Sequence, residues 1–586
     1  MNDIRRTVLW VIFAFSMILL WDKWQLHNGN PAMFLPTPHK PVATQNSNGT
    51  VPSATTVPSG TPVVPAAGTG GLPSAVPTAT GGTTTVAPPA VALASQPTGQ
   101  RVVVRSDVLE LTFDTEGGSL IRVELLKVKD TVDRTKPFVL LDDTGSHVYV
   151  AQTGLIGTVA GTTFPNHKTL MTVSGAHDLQ PGEDQMVVTF TSPDVGGATL
   201  TKTYTIRRGS YDMAVRHSVT NNASTDLSAQ LYLQLVRDGN KPSGESKFYS
   251  TFTGPAVYTE AKKYQKVDFA NIKKGKAEYE HSATNGYIAM VQHYFASAWI
   301  LPDGVQRTIS MDAVDIGSPV PDCCYRATMI APIEPIRPGA TKAIDAKFFA
   351  GPQVEKSLEA LAPGLELVKD YGWLTILAKP LYWLLDKIHS FLGNWGWSIM
   401  GLVLLLKIAF YWLNAKAYSS MAKMKAINPR ITEMRERLKE SPQQMQQEMM
   451  KIYREEKVNP MGGCFPIMVQ IPVFIALYWV LLSSVEMRNA PWEMWIHDLS
   501  SPDPYFILPI FMTLTTLLQT ALNPAPPDPM QAKLMWFMPL IFSVMFFFFP
   551  AGLVMYWITN NVLSITQQWI INTRMGVPPK FNLPKF

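Results

Sequence analysis

The sequence predicts a multi-domain membrane protein in which six transmembrane α-helices are combined with a large antiparallel β-sandwich domain and a cytoplasmic helical hairpin. Three observations predict this fold class. Long apolar runs dominate the last third of the chain, one apolar run lies near the N-terminus, and short alternating apolar and polar stretches lie between them. Apolar runs of about 18 residues or more are typical of membrane helices, and alternation with a period of two indicates half-buried strands.

The overall composition excludes little by itself. The 586 residues have a net charge of +5 and are 46% hydrophobic. Because the basic residues concentrate beside the apolar runs, the charge does not indicate direct binding of nucleic acid. Three cysteines are too few for a disulfide framework. A bridge between the neighbours Cys323 and Cys324 would need a strained ring, so we expect both to be free or buried.

The N-terminal region predicts an anchor and a tether. Residues 1–27 contain the apolar run 7–21, which follows Arg5 and Arg6. No small-x-small cleavage site follows this run, which favours an uncleaved signal-anchor helix over a cleaved leader peptide, with the N-terminus in the cytoplasm. Residues 28–100 are rich in Pro, Thr, Ser and Gly and carry no charge after position 40, so we expect a disordered linker.

Residues 101–350 predict the sheet domain. Residues 108–113 and 120–125 alternate on either side of a glycine pair, and residues 200–206 and 231–236 are further strand candidates. No GxSxG, HExxH, phosphate-binding loop or GxGxxG motif occurs, so we assign no catalytic residue, metal site or cofactor. We expect His281 and His293 to be ordinary surface or core polar groups.

Residues 351–393 form a transition between the sheet domain and the apolar runs. A short helix is predicted to end before Pro363, and an amphipathic helix interrupted by Pro380 follows it. Tryptophans and lysines among leucines favour a helix that lies in the membrane interface on the periplasmic side. The alternative is a buried helix of the sheet domain.

Residues 394–573 contain the remaining five predicted spans, at about 395–417, 463–483, 505–522, 534–549 and 551–572. Residues 418–460 form a charged insert in which Asn428-Pro429 and Ser441-Pro442 indicate two helix starts. We therefore expect a helical hairpin hinged near Glu440. Its excess of lysine and arginine places the hairpin in the cytoplasm, with the basic tail 574–586 on the same side and the sheet domain on the other.

Lys407 lies inside the first of these five spans. A charge at the bilayer centre costs about 2.5–3.5 kcal/mol on insertion scales, so it usually has a partner or a function. No acidic residue lies in the core of another span, which favours a transient partner: an acidic peptide segment, an anion or water. If the polar faces of several spans converge, they form a wet cavity in the membrane. The candidate residues are Lys407, Tyr411, Asn414, Gln470, Thr516, Tyr556 and Asn560.

Two alternatives remain open at this stage. The polar residues could bond only to neighbouring helices and hold the bundle together. The hairpin, in turn, could be a solvated connection between two spans.

Several long motifs resemble one known family. In the helical region they are GNWGWSIMGLVLLLK, YSSMAKMKAINPRITEMRERL, EKVNPMGGCFPIMVQIPVF, WIHDLSSPDPYFILPI, DPMQAKLMWFMPLIF and FPAGLVMYWITNNVLSITQQWII; in the sheet region they are SDVLELTFDTEGGSL, FTGPAVYT and QHYFASAWI. With these motifs the sequence resembles the YidC/Oxa/Alb family of membrane protein insertases, in its Gram-negative form with a large periplasmic domain.

The resemblance implies a five-helix insertase core plus the N-terminal anchor, and a periplasmic β-supersandwich without known catalysis. It implies an inner-membrane protein with a positively charged groove, where Lys407 falls at the position of the family's groove arginine. The implied partners are nascent inner-membrane proteins, the lipid bilayer, the Sec translocon and, more weakly because the tail is short, the ribosome and signal recognition machinery. The hairpin would recruit substrates or partners through Lys423, Lys425, Arg430, Arg435 and Arg437.

Two other functions are compatible with parts of the sequence. A transporter or channel would also explain polar residues in spans, but it predicts paired acidic residues or internal repeats, which are not found. A carbohydrate-active enzyme would place the function in the sheet domain. It predicts a His and carboxylate cluster there, which the sequence does not single out.

Overall fold

The computed structural model describes residues 99–158, 161–242, 251–438, 441–456, 465–523, 529–576 and 581. The predicted anchor 1–27, nearly all of the predicted linker 28–100 and most of the tail 574–586 lie outside these ranges. The described chain divides into two compact units. The sheet unit comprises residues up to Pro352 and Glu359–Val368, and the helical unit comprises Gln353–Leu358 and the chain from Lys369 onward.

Within its described residues, the sheet unit contains eighteen strands in two antiparallel sheets of nine strands each. The strands are β1 Arg101–Arg105, β2 Leu109–Asp114, β3 Ser119–Lys129, β4 Pro137–Asp143, β5 Val148–Gly157, β6 Thr172–Gly175, β7 Gln185–Thr191, β8 Ala198–Arg207, β9 Asp212–Asn221, β10 Ala229–Arg237, β11 Gly254–Thr259, β12 Lys263–Lys266, β13 Ser282–Ala283, β14 Tyr287–Gln292, β15 Phe295–Ile300, β16 Arg307–Ala313, β17 Tyr325–Pro332 and β18 Thr341–Pro352.

The two sheets pack face to face. The strand order is β1-β2-β3-β4-β5-β10-β17-β16-β13 in the first sheet and β12-β11-β14-β15-β18-β9-β8-β7-β6 in the second. Between them, the Tyr149 hydroxyl lies 2.7 Å from Ser297 Oγ, and Trp299 Nε1 donates to the Gln234 carbonyl at 3.2 Å. These contacts join strands of opposite sheets and confirm the predicted sandwich.

Sequence alternation explains why these strands form. Leu109, Leu111 and Phe113 of β2 are fully buried, while the residues between them are partly exposed. Gly117 and Gly118 connect β2 to β3 with φ of +72° and +55°, values that glycine adopts without steric cost. The four stretches predicted as strands coincide with β2, β3, β8 and β10, apart from Val108, which precedes β2.

A few polar side chains are buried inside the sandwich. Lys202 is fully buried and donates to the carbonyls of Gly117 at 2.5 Å and Thr153 at 2.7 Å. His217 Nε2 lies 3.1 Å from Thr153 Oγ1. Burial lowers the pKa of Lys202 to about 7 and, together with the nearby Lys202 charge, that of His217 to about 3.

The other predicted features of this unit have mixed outcomes. His281 is exposed and His293 is half-buried, as expected of ordinary polar groups. Cys323 and Cys324 are joined by a disulfide across a cis peptide bond, whereas the sequence predicts free or buried thiols. Among the described residues, no group of three or more His, Cys, Asp or Glu side chains is arranged to hold a metal ion.

Ten α-helices lie within the described ranges. They are α1 Phe269–Lys273, α2 Glu355–Leu361, α3 Thr375–Leu392, α4 Trp395–Ala409, α5 Tyr411–Arg437, α6 Pro442–Glu455, α7 Phe465–Ser483, α8 Ile507–Leu522, α9 Pro529–Phe546 and α10 Ala551–Arg574. α2 ends before Pro363, as predicted. α3 ends at Gly393, which has a φ of +68°, and the Asn394 side chain then caps α4 by accepting from the Trp397 amide at 3.2 Å.

The chain around Lys407 differs from the predicted continuous helix. The structure contains two helices, α4 and α5, that meet at Phe410 with a bend of 68°. Phe410 has φ −92° and ψ 10°, so the helical backbone is interrupted there. No proline or glycine stands at the break. On either side of the break, α4 and α5 each make their own polar contact with α10.

A membrane span needs both a minimum length and a high hydropathy, and the described helices differ in these two properties. None of them satisfies both criteria alone, while α4 and the first part of α5 satisfy them together as a bent pair. Shorter apolar helical segments are Gln470–Ser483, Ile507–Leu522 and Lys533–Phe546.

The predicted helical hairpin is present as α5 packed against α6. Ile427, Ile431 and Met434 of α5 form a buried cluster with Ile452 of α6. The helix start predicted at Asn428-Pro429 is wrong, because α5 runs through Pro429 to Arg437. Proline removes one helical hydrogen bond, and packing of the apolar face onto α6 offsets that loss. The second start is correct, since α6 begins at Pro442.

Candidate functional site

The last helix, α10, is the centre of the helical unit. It packs against α4, α5, α7 and α8. Although much of its surface is apolar, it carries an unusual number of buried polar residues for a helix of an apolar bundle. These are Thr559, Asn560, Asn561, Ser564, Gln567, Gln568 and Asn572.

One polar stripe of α10 faces α4 and α5. Lys407 is only 8% exposed, and its Nζ donates to Ser564 Oγ at 2.7 Å. Asn414 Nδ2 donates to Gln567 Oε1 at 3.4 Å, and Ser564 donates to the Asn560 carbonyl one turn earlier at 2.6 Å. We call Lys407, Asn414, Asn560, Ser564 and Gln567 the Lys407 cluster.

The Lys407 cluster contains a cation but no anion. The partner of Lys407 is a neutral hydroxyl, and within the described ranges no carboxylate forms an ion pair with it. A hydroxyl satisfies one of three ammonium protons and leaves the charge uncompensated. The site therefore favours an anionic group that approaches Lys407.

Several polar atoms beside the cluster are also available. In the part of the chain that the structure describes, Tyr556 Oη, Asn560 Oδ1 and Gln567 Nε2 are buried without a hydrogen-bond partner. Buried polar groups in folded proteins are nearly always hydrogen-bonded, either to protein or to water. These three atoms can therefore bind water or polar backbone at this depth of the bundle.

A second polar stripe of α10 lies about 90° around the helix and faces α8. Asn561 Nδ2 donates to Thr516 Oγ1 at 2.9 Å and to Thr515 Oγ1 at 3.3 Å. Gln568 Nε2 lies 3.3 Å from Asn523 Oδ1. Because these side chains bond to each other, this stripe joins two helices. For Thr516 this agrees with the predicted alternative, in which polar residues bond to neighbouring helices and hold the bundle together.

The predicted cavity residues are thus only partly brought together. Lys407, Asn414 and Asn560 lie in one cluster, and Tyr556 lies one turn before Asn560. Thr516 belongs to the contact between α8 and α10. Tyr411, just after the bend, is 45% exposed. The last candidate, Gln470 on α7, is half-buried.

Sequence reasoning missed part of the site. Ser564 and Gln567 belong to the polar stripe of the last span but were not among the candidate cavity residues. Asn561 and Gln568 were missed altogether. The seven-residue spacing between these two residues, which places them on one face of a helix, is the signal that could have found them.

The basic residues of the hairpin differ in their availability. Arg430 forms ion pairs with Glu455 at 3.1 Å and Glu456 at 2.8 Å, and therefore links α5 to α6. Arg437 lies 3.9 Å from Glu448. The other three predicted recruitment residues are the exposed Lys423 and the half-buried Lys425 and Arg435.

The outer faces of α8 and α9 expose large apolar side chains. These include Ile510, Phe511, Leu514, Phe537, Ile541, Phe542 and Val544, each about half exposed or more. Contiguous apolar surface of this kind indicates contact with protein or with lipid. These two helices therefore expose apolar groups, while several polar groups of α10 are buried within a largely apolar bundle.

Comparison with known proteins decides the family. The model of the YidC periplasmic domain matches residues 101–384, and the model of the 60Kd inner membrane protein matches residues 387–577. The membrane protein insertase YidC of Cupriavidus necator is 52% identical over 98% of both chains. The chain belongs to the YidC family of membrane protein insertases. The YidC protein of Ralstonia nicotianae is 51% identical over 99% of both chains.

Membership of the YidC family confirms the resemblance seen in the motifs. The protein is a membrane protein insertase with a periplasmic sheet domain and a C-terminal helical region, and it is not an enzyme. Among solved structures, an active YidC insertase aligns with 80% of this chain and 94% of its own, at 18% identity and a TM-score of 0.35. A galactose mutarotase related enzyme from Lactobacillus acidophilus aligns with 43% of this chain and 97% of its own, at 7% identity and a TM-score of 0.29.

Proposed function

We propose that the helical unit inserts nascent inner-membrane proteins by binding a short polar segment of the substrate at the Lys407 cluster. One observation carries this proposal: Lys407 is buried, bonded to a neutral serine, and surrounded by polar atoms that lack partners. An acidic residue of the substrate supplies the missing negative charge. The unpaired atoms of Tyr556, Asn560 and Gln567 receive its peptide groups, so that polar backbone is tolerated at membrane depth.

Electrostatics favours a transient rather than a permanent partner. Two opposite charges 4 Å apart attract each other by about 1 kcal/mol in water and by about 4 kcal/mol at an effective dielectric constant of 20. The bundle interior is closer to the second condition. A lysine ammonium acts as a point charge without the planar fork of arginine, so its attraction for a carboxylate demands less exact geometry and releases the substrate more readily.

The apolar surface provides the route into the lipid. The exposed faces of α8 and α9 resemble lipid in composition, so an apolar substrate segment can move along them while its polar part is bound near Lys407. In this proposal the chain has six spans, and both termini and the hairpin α5–α6 are cytoplasmic. The energy comes from burial of the substrate's apolar segment in the bilayer.

Partners are proposed for the cytoplasmic side as well. Lys423 and the other basic hairpin residues, Lys425, Arg430, Arg435 and Arg437, would recruit substrates, the ribosome or the signal recognition machinery. The Sec translocon would deliver larger substrates. The short tail offers few basic residues, which makes its part in ribosome binding minor.

The test is complementation of a strain depleted of its own YidC. Lys407→Glu should abolish insertion of single-span substrates that carry an acidic residue in the translocated segment, whereas Lys407→Arg should retain it. Lys416→Glu makes the same charge reversal at an exposed position of α5 outside the Lys407 cluster, and it serves as the matched control with near-normal insertion. Photo-cross-linking from position 407 should capture a stalled nascent chain. Normal insertion with Lys407→Glu would refute the mechanism.

A further inference from the structure

The helical unit contains a second buried lysine, outside the Lys407 cluster. The side chain of Lys369 has no exposed surface, and its Nζ lies 3.3 Å from Glu486 Oε2 and 3.5 Å from Oε1. The same ammonium lies 3.7 Å from the centre of the Tyr382 ring. Lys369 is therefore held between a carboxylate and an aromatic face, both of which stabilise a cation.

Two tyrosine hydroxyls extend this pair into a network. Tyr382 donates to Glu486 Oε1 at 2.5 Å, and Tyr371 donates to Glu355 Oε2 at 2.6 Å. Tyr382 belongs to α3, and Glu486 follows the end of α7. The network consequently links four chain segments that are distant in sequence: the start of α2, the segment before α3, α3 itself and the turn after α7.

The position of Tyr382 makes α3 dependent on this network. On one side, α3 buries Ala378, Leu381 and Leu385 against the unit. On the other side, Ile376 is 88% exposed and Phe391 is 89% exposed. α3 is amphipathic, but large apolar side chains are also exposed beside its charged residues, which weakens the preference of the helix for one rotation by hydrophobicity alone. A directional ion pair and hydrogen bond can supply the missing specificity.

We infer that Lys369 and Glu486 are positioning residues that fix the rotation and placement of α3 against α4 and α7. With the pair intact, α3 is held to the end of α7, and its exposed aromatic and aliphatic side chains face one direction. Loss of one partner leaves a buried charge without compensation, and α3 leaves its position so that the charge can reach water. This inference rests on the proposed function in one respect: we expect insertion to depend on the correct placement of α3.

The contact between α3 and α4 offers a direct probe of this placement. A Cβ atom added at Gly401 of α4 would lie 3.4 Å from Ile388 Cγ2 of α3, an ordinary contact distance. The substitutions Gly401→Cys and Ile388→Cys therefore create a pair that oxidises readily when α3 is in place. The native residues Cys323, Cys324 and Cys464 are replaced by serine in this background.

The experiment follows the rate of disulfide formation in full-length protein in membranes, with free thiols detected by a maleimide that shifts the band on a gel. Lys369→Met and Glu486→Gln should each slow cross-linking about tenfold, because each leaves one buried charge. The double variant Lys369→Met/Glu486→Met buries no charge but also lacks the ion pair and the hydrogen bond from Tyr382, so it should cross-link as slowly as the single variants. Lys356→Met is the matched control, since it removes the exposed Lys356–Asp386 pair, which also reaches α3.

The outcomes separate this inference from the proposed function. Slow cross-linking in both single variants and in the double variant supports positioning by the pair, whereas a parental rate in the double variant shows that only the unpaired charge matters and overturns the inference. Parental cross-linking in the single variants overturns it, even if insertion falls, and leaves the role of Lys407 untouched. If a single variant fails to accumulate, the double variant, which leaves no unpaired charge, decides the inference through its cross-linking rate alone.

Discussion

Acidification should destabilise the sheet unit through the buried residue His217. This side chain is 1% exposed, and its Nε2 lies 3.1 Å from Thr153 Oγ1. Burial, aided by the positive charge of Lys202, lowers the pKa of His217 from 6.5 to about 3. The unfolded chain takes up a proton near pH 6.5, whereas the folded unit does not until about pH 3. The stability present above pH 6.5 is therefore lost progressively as the pH falls toward 3.

The magnitude follows from the two pKa values. As the pH falls from 7.5 to 5.0, His217 becomes protonated in the unfolded state but stays neutral in the folded state. The effective range of this difference is nearly one and a half pH units. At about 1.4 kcal/mol for each unit, His217 alone should lower the free energy of unfolding by about 2 kcal/mol. That loss corresponds to an increase of about 30-fold in the population of the open state.

Hydrogen exchange of the full-length protein in detergent measures this change. Peptides that cover β8 and β9 should exchange faster at pH 5.0 than at pH 7.5, after correction for intrinsic rates, and His217 should account for about 30-fold of the increase. His217→Leu should remove about 2 kcal/mol of this pH dependence. The pH dependence that remains in this variant reports other groups, such as His167. Burial lowers the pKa of His167 to about 4. The reasoning is refuted if His217→Leu exchanges with the same pH dependence as the parent protein.

Two further predictions concern the helical unit. Asn561→Leu removes the hydrogen bonds to Thr515 and Thr516, so the free energy of unfolding in detergent should fall by about 0.6–1.7 kcal/mol, measured from thermal unfolding; an unchanged midpoint would contradict this. Ile431→Ala opens a cavity at a residue that is 1% exposed between α5 and α6, and should reduce local stability by about 2–5 kcal/mol. Limited proteolysis should then cleave the hairpin of the Ile431→Ala variant faster than that of the parent protein. The Glu433→Ala variant, changed at an exposed position, should be cleaved at the parental rate. Equal cleavage rates for the two variants would show that the hairpin core contributes little to local stability.

The strands of the sheet unit were predictable because their signal is local. Leu109, Leu111 and Phe113 alternate with polar residues, and this pattern alone specifies which face is buried. The glycine pair at 117 and 118 marks the turn for a similar reason, since its backbone conformation favours glycine. The helical hairpin was predictable in outline, because charged and apolar residues alternate with a helical period.

The site in the helical unit depends on contacts that no local pattern contains. The break at Phe410 has neither glycine nor proline, and it arises where α4 and α5 each contact a helix far away in sequence. Lys407 and Ser564, for example, are 157 residues apart. For the same reason Thr516 was grouped with Lys407, although its hydrogen bond from Asn561 places it on another face of α10. Local capping signals also failed at Asn428, because packing of α5 on α6 keeps the helix continuous.

The position of β18 determines when the sheet unit can be completed during synthesis. This strand is the last one to leave the ribosome, yet it pairs with β15 on one side and with β9 on the other. Until Thr341–Pro352 has been made, the second sheet exists as two fragments, each with an unpaired edge that invites wrong pairing. The strand that closes the sheet is followed directly by the helical unit. Completion of the sheet unit and synthesis of the first helices of the helical unit therefore overlap in time.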